Sequence, residues 1–326
     1  MNIFVIQNLL MNFTTTFQIK KCNYPVDYYS KIVLLGSCFS ENIGSKFDYY
    51  KFQATSNPFG IIFNPVSIEK ILSRSINLEY FTENDIFCHN ERWHCYEVHS
   101  EVSNENKVVF LETLNAKLDV TNNQISQSTH LIITYGTSWV YRLKTTGAVV
   151  ANCHKVAHSE FDKEILSVDV VEQSLKNILD LIQTINSQCQ VMLTVSPVRH
   201  IKDGFVENQQ SKAHLIAAIH KIMNNELGIL NYFPSYEIMM DELRDYRYYA
   251  PDMLHLSEVA VDYIWERFCE SAIAEGSYGT MDAVGTIQKG LAHCPFNVAS
   301  ERHQQFLAGL QQKIMKLQKE FSFMEF

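Results

Sequence analysis

The chain has 326 residues, 46% of them hydrophobic, with a formal net charge of −9 and a pI near 5.7. That length holds one large α/β domain or two small ones with a sizeable core. The acidic balance argues against a phosphate-backbone partner, which needs a Lys/Arg-rich face, and no run is long and apolar enough to read as a membrane span.

Cys22, Cys38, Cys88, Cys95, Cys153, Cys189, Cys269 and Cys294 form no CxxC pair and no regular framework, the pattern of reduced thiols in a cytoplasmic compartment. The opening MNIFVIQNLLMNF has no basic start and no small-residue cleavage site, so it is a poor signal peptide. A second methionine at Met11 leaves residues 1–10 set aside as a product of start-codon choice.

The first strong element is KIVLL at residues 31–35, a short apolar run ended by Gly36, which reads as a strand buried on both faces. With Ser40 as N-cap, ENIGSKFDYYKF has helical spacing, and FQATSNPFG returns to extended character before an Asn-Pro turn. Residues 75–128 read as an insertion, aromatic and His-rich, whose period-2 stretches predict a β-hairpin. HLIITYG at 130–136 and QVMLTVSP at 190–197 repeat the buried-strand signature, with an amphipathic helix at about 170–186 between them. GILNYFPSY supplies a fifth strand near residue 230.

Strands alternating with helices predict an α/β fold, a doubly wound parallel sheet in a three-layer α/β/α sandwich. The domain runs over residues 20–276, and 277–326 form a helical extension. In that extension Phe306, Leu310, Ile314, Leu317 and Phe321 share one face, to pack on the domain or to make a homo-oligomer.

Ligands of open parallel sheets bind beyond the carboxyl ends of the strands, and the polar punctuation of this chain falls there. Ser37 closes the first strand, Asn57 to Gly60 the second, Gly136 to Trp139 the third, and Ser196 to His200 the fourth. Asp252-Met253-Leu254-His255 follows the fifth, before a long helix. Alone, Ser37 reads as a cap and a D-x-x-H pair as a surface turn. Together they have the residue types of nucleophilic catalysis: the carboxylate fixes the His255 tautomer through Nδ1, and Nε2 takes the serine proton.

The ordered series GSCFS, NPFG, GTSWVYR, NCHK, SPVRH, SYE, DELRDYR and DMLH resembles the GSCFA-domain proteins, a branch similar to the SGNH/GDSL-like hydrolases, over about residues 25–270. The resemblance implies a flavodoxin-like sandwich and acyl-ester hydrolysis, with Ser37 as nucleophile and Asp252 and His255 as the D-x-x-H block. The wider SGNH pattern builds its oxyanion hole from the nucleophile's amide, a glycine in the second block and an asparagine in the third. Here the Ser37 and Cys38 amides and Gly60 fit the first two, but the third block reads Gly136-Thr137-Ser138-Trp139 without asparagine. A Thr137 or Ser138 hydroxyl, or Asn57 or Asn152, has to substitute, because one such donor is worth about 2.7–4 kcal/mol.

Cys38, beside a helix N-terminus, is the rival nucleophile, but Ser37 directly follows the strand's terminal glycine. A zinc site from Cys88, His89, His94, Cys95, His99, Cys153 and His154 matches no standard spacing, so no metal and no cofactor are expected. Asn57, Trp139, His154, Arg199 and His200 are the candidate substrate-pocket residues. The like-charge spacings Glu237/Asp241 and Asp241/Asp245 predict tertiary partners, read as a buried network of Glu237, Arg244, Asp245 and Arg247.

The expectation is a serine esterase or deacylase acting on a small-molecule or carbohydrate acyl ester, with O-acetyl sugars favoured by the aromatic insertion. An O-acyltransferase using the same site and a non-catalytic binding protein on the same scaffold are the alternatives.

Overall fold

A computed structural model describes residues 14–224 and 228–326, so the reading of residues 1–10 lies outside the described residues. From the first strand the chain runs β1 (Lys31–Gly36), α1 (Cys38–Tyr49), β2 (Gln53–Ser56) and α2 (Pro65–Ile76). The pair β3 (Phe87–His89) and β4 (Arg92–His94) precedes α3 (Lys107–Gln127) and β5 (His130–Tyr135). Next come β6 (Trp139–Leu143), β7 (Val149–Val150), β8 (Phe161–Ile165), α4 (Val168–Ile185), β9 (Gln190–Val195), α5 (Phe205–Met223) and β10 (Leu230–Tyr232). A short α6 (Ser235–Glu237) runs into a π-helical turn, and α7 (Glu258–Ala272), α8 (Tyr278–Leu291) and α9 (Glu301–Glu320) complete the chain.

Alternation along the strands builds the layers. Val33, Leu35, Leu131, Ile133, Val191 and Leu193 enter one hydrophobic cluster with α2, α3, α4 and α5. Ile32, Leu34, Ile132 and Met192 enter the other with α1, α7, α8 and α9. Side chains of period 2 thus bury both faces of a parallel sheet in the order β10-β9-β5-β1-β2, helices covering each side. The order reverses between β1 and β5, so a crevice opens beside the carboxyl end of β1.

Four expectations need correction. The helix after β1 starts at Cys38 with Ser37 as its N-cap, and the Ser40 hydroxyl instead donates to Leu35 O. The hairpin exists, turned by Asn90 and Glu91 at φ 48° and 62°, but residues 107–127 are no insertion. They form the crossover helix α3, whose Phe110, Leu114, Leu118 and Ile125 pack on the sheet. A three-stranded antiparallel sheet, β7-β6-β8, lies where the sequence suggested no strands.

The charged network is the fourth. Arg244, Asp245 and Arg247 lie at the surface, and Glu237 accepts the Tyr232 hydroxyl at 2.7 Å instead. The buried ion pair joins Glu242 to Arg267 at 3.1 Å, with the Tyr263 hydroxyl on the second carboxylate oxygen.

The tail is two helices, and α9 turns Leu310, Ile314 and Leu317 onto its own domain, where Phe321 reaches Tyr28 at 5.1 Å between ring centroids. Phe306 is left exposed.

Candidate active site

The turn after β1 depends on Gly36. Its φ is 138°, and a Cβ there would meet Thr134 O at 2.1 Å, so no other residue fits between β1 and β5. The next amide, Ser37 N–H, donates to Thr134 O at 3.1 Å, and the Ser37 hydroxyl accepts the Phe39 N–H at 3.2 Å. Ser37 is 1% exposed. The Cys38 N–H, in the first turn of α1, has no backbone acceptor and turns instead toward its own thiol. Burial, with Glu41 nearby, pushes the Cys38 thiol up, opposite to what a thiolate nucleophile needs.

Asp252 and His255 sit on a loop pinned at its base. Ser257 N–H donates to Tyr248 O at 2.9 Å and Ala250 N–H to His255 O at 2.8 Å, with Met253 at φ 59° near the tip. Asp252 Oδ2 takes His255 Nδ1 at 2.6 Å, and Oδ1 takes the backbone amides of Leu254 and His255 at 2.9 and 3.0 Å. These bonds, led by the His255 ring, hold the Asp252 carboxyl down at about 2. His255 Nε2 has no partner among the described residues, and the side chain is 53% exposed. No hydrogen bond joins it to Ser37.

The loop docks on the segment after β9. Arg199 N–H donates to Leu254 O at 3.2 Å and its Nη1 to Met253 O at 3.1 Å. The guanidinium stands over Phe205, Tyr246 and Tyr249, 5.2 to 5.5 Å from their ring centroids. Arg199, Tyr236, Met239, Met240, Tyr246 and Tyr249 line a cavity of about 180 Å³ beside the loop. His200 packs on Phe63 with its Nε2 buried and unpartnered, and burial pushes its pKa down to about 3, helped by the charges of Lys212 and His255.

Several residues expected at the site have structural work. The Gly60 amide donates to Asn57 O at 2.8 Å, closing the turn after β2. Asn57 clamps the end of β1 by accepting the Gly36 N–H at 2.8 Å. Thr137 and Ser138 are buried, and both hydroxyls and the Ser138 amide are tied to Ser211 of α5. Trp139 donates from Nε1 to Glu207 O at 3.1 Å. Asn152 accepts the His154 amide at 2.8 Å, and His154 lies among Phe87, His94 and Tyr96 with Nε2 bonded to Cys95 O at 2.7 Å. His154 is therefore a buried structural imidazole, and among the described residues no group of three or more His, Cys, Asp or Glu is placed to hold a metal ion.

Sequence reasoning passed over Ser211 and Lys212. Lys212 is 1% exposed and donates from Nζ to Gly136 O at 2.6 Å and Ser196 O at 2.7 Å, bridging the ends of β5 and β9. The signal was there: Ser211, Lys212, Leu215, Ala218, Ile219 and Ile222 fall on one helical stripe, so a cation occupies an apolar position.

Two family models match the chain, one described as GSCFA family over residues 31–268 and one as GSCFA domain protein, C-terminal domain, over residues 284–326. No curated protein matches it.

Proposed function

The chain belongs to the GSCFA family, and from that premise we propose that it is a serine hydrolase of SGNH-like type that cleaves an acyl ester. The observation that carries the reading is His255, held by Asp252 at both ring and backbone, with Nε2 unpartnered, on a loop docked after β9 at the carboxyl-end side of the sheet, the side on which Ser37 heads α1. His255 takes the Ser37 proton, Oγ bonds to the acyl carbon, and the alcohol leaves with that proton. Water then enters by the same route and releases the acid. No hydrogen bond joins Ser37 to His255, so the reading requires the two to approach when substrate binds.

Acyl esters of small molecules or sugars are the proposed substrates, with no cofactor. All eight cysteines are free, which supports a reducing compartment, and among the described residues no helix is long and apolar enough to cross a membrane.

One observation favours a second reading. Ser37 is 1% exposed and its hydroxyl serves as a helix cap, as suits a binding protein that has lost turnover. A fluorophosphonate probe separates the two. An adduct mapped to Ser37 and lost in Ser37→Ala and His255→Ala supports the hydrolase. An unlabelled chain, or an adduct only on Cys38, sinks it. Product analysis with a sugar acceptor then separates hydrolysis from acyl transfer.

A further inference from the structure

With Gly60, Thr137 and Ser138 committed elsewhere, two donors at the strand ends have N–H capacity not taken by an oxygen acceptor among the described residues. One is the Cys38 N–H, whose bond runs to its own thiol. The other belongs to Lys212, whose ammonium has three protons and only two carbonyl acceptors, Gly136 O and Ser196 O. No carboxylate forms an ion pair with Lys212 among the described residues, and isolated buried charge is costly. This leaves one ammonium proton unpaired where β5 and β9 end, within electrostatic range of Cys38 in the first turn of α1.

Resting on the serine-hydrolase reading above, we infer that Lys212, as its ammonium ion, balances the oxyanion formed at Ser37, sharing with the Cys38 amide the role of the missing third-block asparagine. When Oγ bonds to the carbonyl carbon, the carbonyl π pair moves to oxygen and the Ser37 proton moves to His255. Lys212 forms and breaks no covalent bond and transfers no proton. On collapse the pair returns and the alcohol departs with the proton from His255.

The titratable groups facing Lys212 are Cys38 from α1, His200 from the segment after β9 and Tyr236 from α6. His200 stays neutral at ordinary pH and the Cys38 thiol is pushed up, so Lys212 carries the local charge. Burial brings Lys212 itself down to about 7, against a small opposing pull from Cys38. Its charge is therefore present below that pH and lost above it.

The test is the rate of Ser37 labelling by a fluorophosphonate in the full chain, followed from about pH 5 to about pH 9, for wild type, Lys212→Met and Lys212→Arg. Wild-type labelling should fall as pH rises through about 7. Lys212→Met should slow it by about 10²–10³-fold with its thermal transition retained, and Lys212→Arg should remove the alkaline fall. Labelling of Lys212→Met at the wild-type rate overturns the inference while leaving the serine reading intact. Should Lys212→Met fail to fold, the wild-type profile decides, and labelling that keeps rising through about pH 9 overturns the role of the cation. A wild-type chain that never labels at Ser37 sinks the serine reading itself, which the other outcomes do not.

Discussion

Asp252 grips His255 twice, through Oδ2 to the ring Nδ1 at 2.6 Å and through Oδ1 to the backbone amide at 3.0 Å. A surface turn needs only the backbone bond. The ring bond fixes a tautomer and aims Nε2 away from the loop, which is what a general base requires. Asp252→Asn keeps an acceptor for the amide but offers the ring a donor on one face. The expected result is a loss of about 10²–10⁴ in the rate of Ser37 labelling with the thermal midpoint close to wild type. Equal losses of labelling and stability would make the pair structural. Because the carboxyl is held at about 2, the wild-type contact should persist at every pH where the protein is folded and assayed.

Ser37 has a structural task that Ala cannot perform, since its hydroxyl accepts the Phe39 N–H at the start of α1. Ser37→Ala should therefore lower stability by about 0.5–2 kcal/mol, seen as a shift in the urea midpoint at unchanged slope. An unchanged midpoint would show that the cap contributes nothing. Activity comparisons have to be made at temperatures where both proteins are folded.

Much of this was legible in the sequence, and the exceptions have a common cause. β1, β5 and β9 were found because parallel strands buried on both faces are continuous apolar runs, and the D-x-x-H pair because its contact is local. The strands β6 to β8 were not, since half-buried segments such as FDKEI and WVYRL alternate too weakly to stand out. The donor assignments failed for a different reason. Whether Gly60, Thr137 or Ser138 has a free proton depends on partners at Asn57 and Ser211, and Ser211 lies 73 positions from Ser138. Lys212 was invisible because a lysine in a helix reads as solvent-facing until the apolar stripe around it is traced.

Arg199 joins the segment after β9 to the Asp252–His255 loop through two bonds, to Leu254 O and Met253 O, while three aromatic rings hold its guanidinium. Lysine has the charge but not the planar fork, so Arg199→Lys should recover only part of what Arg199→Ala loses. The expected loss for Ala is roughly tenfold to a hundredfold in kcat with little change in KM, because the loop rather than the substrate is disturbed. A pure KM effect would instead make Arg199 a substrate contact.

The C-terminal helix covers apolar surface that the sheet domain exposes without it. Leu317 is 8% exposed and Phe321 5% in the cluster that contains Tyr28 and Phe52. Leu317→Ala should lower stability by about 2–5 kcal/mol without changing the particle mass in light scattering. A shift in oligomeric state with little loss of stability would mean that α9 serves an interface rather than its own domain.

His154 makes a pH prediction whose sign follows from burial. In the unfolded chain it titrates near 6.5, and in the fold desolvation pushes it down to about 4. Between those values the unfolded chain binds a proton that the folded chain does not, so stability is full above about pH 6.5 and falls as pH drops toward about 4. His130 and His200, also lowered by burial, act in the same direction. His154 sits at φ 50°, a conformation that Asn tolerates, so His154→Asn removes the titration without straining the backbone. The variant loses the bond to Cys95 O and should be less stable than wild type at neutral pH. The gap in urea midpoint should then narrow on acidification, as wild type loses the advantage of a neutral buried imidazole. A gap that stays constant from neutral pH to about pH 4 would mean that His154 gains its proton in the fold as readily as in the unfolded chain.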